Sequence, residues 1–161
     1  VSARRLPDVA AVLTPLLAAV APGERPLLLA IAERMAAERY RRWASAVDEP
    51  GIRAGLRRCA DREDEIAGRV EAVYPDAADV QRRLRLDHPN LTVINDEIFA
   101  GRPLAEQFAI QASGERLDAS TWRALAAGAA NEAERSAFLA CAPLEEASVT
   151  FLEMLLASSG S

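Results

Sequence analysis

The chain has 161 residues, half of them hydrophobic and 27% charged, with a formal net charge of −5 and a pI near 5.0. That is enough chain for one domain, residues 1–161, with one core. All 19 basic residues are arginine and the only histidine is His88, which excludes a site built from two or three imidazole ligands of one chain. The acidic balance, with the basic stretch Arg82-Arg83-Leu84-Arg85 short and flanked by acids, excludes an electrostatic footprint for nucleic acid.

Alanine, leucine, arginine and glutamate favour helix almost throughout. A first helix is expected over residues 7–20, and a second, long one over 24–47 with Pro26 in its first turn. Asp48-Glu49-Pro50-Gly51 reads as a turn, and a third helix covers 52–73 and stops before Pro75. Residues 76–101 form a long connection with a short helix through Leu84; Leu91–Ile94 is the one strand-like scrap. A fourth helix is expected over 102–115 and a fifth from a cap at Asp118 to Cys141. Pro143 separates that helix from a last one over 144–157, and the Ser-Ser-Gly-Ser tail frays. The expected fold is therefore all-α, with a core of about residues 24–141. It consists of two helical hairpins joined by a long crossover, the connectivity of ferritin-like four-helix bundles, plus extra N- and C-terminal helices.

Carboxylates fall inside the apolar stripes. Glu33 recurs with Leu29, Ala36, Tyr40, Trp43 and Val47 at helical spacing. Glu63 does so with Leu56, Cys59, Ala60, Ile66, Ala67 and Val70. A buried carboxylate must be paired, protonated or metal-bound. The second half echoes this pattern: Glu106-Gln-Phe-Ala109 follows Glu33-Arg-Met-Ala36, and Glu132 with Arg135 follows Glu63 with Ile66. The spacings, 30 and 26 residues, differ by about one helical turn.

Glu33-x-x-Ala36-x-x-x-Tyr40 resembles the first metal-binding helix of rubrerythrins, and Ala60-Asp-Arg-Glu63-Asp-Glu-Ile66-Ala-Gly-Arg69 resembles their second. The resemblance implies a ferritin-like bundle with a di-iron carboxylate centre. Its ligands would be Glu33, Glu63, Glu106 and Glu132, with Glu97 a rival to Glu106. The family's two histidines would fall at Ile66 and Arg135. Isoleucine has no ligand atom and arginine no lone pair, so the site reads as degenerate, with Arg135 standing in for a metal.

Each glutamate also has a plain reading as part of a solvated face or an i,i+3 pair such as Glu132–Arg135. Tyr40 and Cys59 read as core, and His88 as an exposed loop residue. Two function classes follow. One is a relict ferritin-like scaffold acting as a non-catalytic interaction module without a cofactor. The other is an iron- or manganese-binding oxidoreductase or ferroxidase with an all-carboxylate site. Cys59 and Cys141 read as buried thiols of a reducing cytoplasm, and no membrane span is visible. The apolar faces of the first and last helices ask for cover, which predicts a homodimer.

Overall fold

The computed structural model describes residues 5–159 and is all-helical, with seven α-helices among them. They are α1 (Val9–Ala18), α2 (Arg25–Ala46), α3 (Pro50–Glu71), α4 (Ala77–Asp87), α5 (Leu91–Phe99), α6 (Leu104–Ala127) and α7 (Glu132–Ser159).

Four of these are long and pack side by side as two hairpins, α2 with α3 and α6 with α7, and α3 also packs on α7. Local chemistry sets both reversals. Glu49 caps α3 by accepting from the backbone N–H groups of Gly51 and Ile52, with Pro50 in the first turn, where it loses no bond. At α7, Asn131 Oδ1 accepts from the Glu134 N–H at 2.9 Å while Glu134 Oε2 accepts from the Ala130 N–H at 2.8 Å. This is close to the reciprocal pattern of a capping box. Between the hairpins run α4 and α5, and Gly101 at φ +68° supplies the left-handed residue that turns the chain into α6.

Several expectations change. The chain does not break at Asp118, which lies inside α6, and the break falls instead after Ala127, at the Asn131 cap. Pro143 lies inside α7. Proline there leaves the carbonyl of Leu139 without its helical donor, and Leu139 is on the exposed side of the helix, where water can serve it. The C-terminal segment is therefore one of the four long helices, not an addition to them. Leu91–Ile94 is the start of α5, not a strand. Of the expected tail, Gly160 and Ser161 lie outside the described residues.

The core has two apolar layers along the long helices. One contains Leu29, Ile66, Val70, Trp122 and Phe138; the other contains Tyr40, Trp43, Leu56, Phe108 and Leu152. In each long helix one glutamate lies between its residues of the two layers. A third cluster, with Leu27, Leu28 and Ile31 of α2, is covered by Leu16 and Leu17 of α1, Leu84 of α4 and Leu91 of α5. That cover explains why residues 27–32 are apolar all round. No described helix is long and apolar enough to cross a membrane.

Candidate metal centre

Each long helix brings one glutamate to the boundary between the two apolar layers: Glu33 from α2, Glu63 from α3, Glu115 from α6 and Glu145 from α7. None is more than 2% exposed. Asp118, half-buried one turn beyond Glu115, adds a fifth carboxylate. Oxygens of Glu33, Glu63 and Glu145 lie within 4.8 Å of one another, and so do oxygens of Glu115, Asp118 and Glu145. Glu145 is common to both groups.

The hydrogen-bond inventory at the cluster is incomplete. Tyr40 donates through its hydroxyl to Glu115 Oε1 at 2.5 Å, and Gln111 Nε2 donates to the same oxygen at 2.8 Å. Trp122 Nε1 donates to Glu145 Oε1 at 2.9 Å, and Ser148 Oγ approaches Glu63 Oε1 at 3.4 Å. Glu33 Oε1, Glu63 Oε2, Glu115 Oε2 and Glu145 Oε2 are buried, and no donor from outside the carboxyl cluster reaches them. An unsatisfied buried acceptor costs about 1–3 kcal/mol, more when charged. Four such oxygens, one on each long helix, are an anomaly for a self-contained core.

Burial is the main reason that the carboxyl groups of Glu33, Glu63 and Glu145 sit well above the ordinary carboxylate range. Neighbouring negative charges add to it: Asp118 and Glu115 for Glu33, Glu115 and Glu33 for Glu63, Glu33 and Glu63 for Glu145. Burial and then Glu115 push Asp118 up to about 8. The Tyr40 hydroxyl is raised by burial and by Glu115, so it stays a donor. Cys59 and Cys141, one turn before Glu63 and Glu145, are free and buried, and burial pushes their thiols up to about 11 and about 12. They remain thiols, poor metal ligands.

Of the residues expected from the sequence, Glu33 and Glu63 are in the cluster and Glu106 and Glu132 are not. Glu106 pairs with Arg102 at 3.1 Å in the first turn of α6. Glu132 begins α7 and meets Arg135 at 3.5 Å, with 79% and 55% of their side chains exposed. Arg135 therefore replaces nothing in the core, and the surface i,i+3 reading of that pair is the correct one. Glu97 is exposed on α5. His88 caps the C-terminus of α4 and is half-buried beside an open groove. Ile66 is in the core, as expected, and offers the cluster no ligand atom.

Glu115, Asp118 and Glu145 were missed, although the sequence holds a signal for them. Glu115 follows Glu33 by 82 residues, and Glu145 follows Glu63 by the same 82. With that offset Arg34 pairs with Arg116, Tyr40 with Trp122, Arg41 with Arg123, Cys59 with Cys141, and Glu71 with Glu153. The contacts repeat too. Arg34–Glu71 and Arg41–Asp64 in the first hairpin correspond to Arg116–Glu153 and Arg123–Glu146 in the second. The chain contains one helical hairpin twice. Ser148 occupies the position of Ile66, so neither half has an imidazole three residues after its second glutamate. No family model matches this chain, and no curated protein or solved structure does.

Proposed function

We propose that this protein has a ferritin-like architecture and binds two divalent cations among its buried carboxylates. Glu33, Glu63 and Glu145 would hold one, and Glu115, Asp118 and Glu145 the other. The observation that carries this reading is the set of four buried oxygens, one from each long helix, that no donor from outside the cluster reaches, on carboxylates that gather in two groups. Charge balance supports it. The five carboxylates, all ionised, carry five negative charges, and two divalent cations offset four of them. The doubled hairpin supports it as well, since each half contributes an equivalent pair of glutamates.

An all-oxygen donor set suits hard ions such as Mn²⁺, Fe²⁺ or Mg²⁺. When bound, such ions supply Lewis acidity or, for iron and manganese, electron transfer. The chain's own residues fix the donors: Tyr40 and Gln111 orient Glu115, Trp122 orients Glu145, and Ser148 reaches Glu63. The flanking apolar layers keep bulk water from the site.

One observation favours a metal-free scaffold instead. Glu33 is within hydrogen-bond reach of Glu63 and Glu145, as expected where carboxyl groups share protons. In that case the protein is an interaction module with a relict site. Elemental analysis of the purified protein and titration with Mn²⁺ separate the two. The proposal expects up to two ions per chain, lost in Glu63→Gln/Glu145→Gln. A folded protein that takes up none overturns it.

A further inference from the structure

Buried arginines are normally paired with a carboxylate. Arg39 is 5% exposed, yet no carboxylate among the described residues is within ion-pair distance. Its Nη1 donates to Gln111 Oε1 at 2.6 Å and its Nη2 donates to Asn95 Oδ1, both neutral amides. The guanidinium lies 4.0 Å over the Phe99 ring. These contacts use two of five N–H donors and leave the charge without a direct counter-ion.

Arg39 is part of the wall of a cavity of about 70 Å³ between α1, α2, α5 and α6. Val9, Leu13, Ile98 and Phe99 make much of the remaining wall apolar, and Glu33 and Asp118 connect it to the carboxylate cluster. A cavity of roughly 150 Å³ takes benzene, so this one is sized for about three carbons. Gly114 keeps it open beside Val9, whose Cγ1 would be 4.0 Å from a Cβ at that position.

We propose that this cavity binds a small organic anion, a monocarboxylate of two to four carbons, with its head group on Arg39 and its chain against Val9, Leu13 and Ile98. The inference rests on the metal reading in one respect. Where Glu33 and Asp118 are ionised they repel an anion, and cations on the cluster remove that repulsion. Anion and metal affinities are then coupled, and the coupling is reciprocal.

Calorimetric titration with propionate tests this, using n-propanol and n-propylammonium as controls. Propionate is expected to bind the Mn²⁺-loaded protein, and also metal-free Glu33→Gln/Asp118→Asn, in which the repelling charges are removed without metal. Neither control binds. Arg39→Met weakens propionate at least tenfold, Arg39→Lys recovers part of the loss, and Gly114→Leu, which fills the cavity, abolishes binding. If Mn²⁺ is not taken up, the metal reading fails and the Glu33→Gln/Asp118→Asn protein decides the anion site alone. Propionate binding that survives Arg39→Met, propylammonium binding in its place, or no propionate binding by either form overturns the inference.

Discussion

The hydroxyl of Tyr40 on α2 donates to Oε1 of Glu115 on α6 at 2.5 Å, joining the two hairpins across the carboxylate layer. Removing this bond by Tyr40→Phe leaves the ring packing intact and takes a donor from a buried carboxylate. The expected loss is about 1.5–3 kcal/mol for a hydrogen bond to a charged group, read by urea denaturation of the Mn²⁺-loaded protein. Mn²⁺ affinity falls by about 10- to 100-fold, as for other partners that orient ligands. An unchanged midpoint together with unchanged affinity would show that the hydroxyl orients nothing.

Neutralising the cluster and neutralising the expected surface glutamates should have opposite consequences. Glu63→Gln removes a buried carboxyl group that folding must keep protonated, so the metal-free protein at pH 7 becomes more stable. Metal uptake is lost at the same time. Glu132→Gln disturbs only an exposed pair and changes stability by less than about 0.5 kcal/mol, whereas Glu106→Gln takes the partner of the largely buried Arg102 and destabilises; both retain their metal content. The reverse ranking in denaturation and elemental analysis would place the metal at Glu106 and Glu132 instead.

The metal-free protein should lose stability as pH rises. Burial raises the carboxyl groups of Glu33, Glu63, Glu145 and Asp118 in the folded state, so the native protein holds protons that the unfolded chain releases. Their contribution is fully present below the unfolded values, near 4, and is lost as pH rises through the folded ones, which for Asp118 means to about 8. Melting temperature in EDTA is expected to fall between about pH 5 and pH 8. Saturating Mn²⁺ should flatten that slope, because bound cations replace the protons. A metal-free melting temperature that climbs over this interval contradicts the burial of these groups.

The crossing of α3 and α7 depends on a glycine. A Cβ at Gly55 would lie 2.0 Å from Cζ of Phe151. Gly55→Ala therefore forces the ring or the helix to move, at an expected cost of about 1–3 kcal/mol despite the better helix propensity of alanine. At the 82-residue offset the equivalent residues are Ala137 on α7 and Arg69, exposed, on α3. Gly55→Ala/Phe151→Leu, melted alongside, should recover most of the loss.

The first hairpin was legible because its signals agree. Glu33 and Glu63 each stand in an uninterrupted apolar stripe, and Asp48–Gly51 marks the turn between them. The second was misread because two local signals pointed the wrong way. Asp118 has the chemistry of an N-cap and Pro143 that of a helix breaker, yet both lie inside long helices. Packing against the first hairpin outweighs those local preferences. The Asn131 and Glu134 cap, which does mark the turn, was passed over as helix interior.

By itself the sequence determined an all-α chain, the helices that carry Glu33 and Glu63, and, through the 82-residue repeat, the equivalent positions of Glu115 and Glu145. Its single histidine removed imidazole from any such site. Only the tertiary structure decided which glutamates meet. Glu106 and Glu132 match the local pattern but begin their helices at the surface, whereas Glu115 and Glu145 lie between the two apolar layers, where α2, α3, α6 and α7 come together. The physical reason is depth. Periodicity places a carboxylate on a face of a helix, but its height along that helix, and hence which side chains surround it, is set by how four helices pack together.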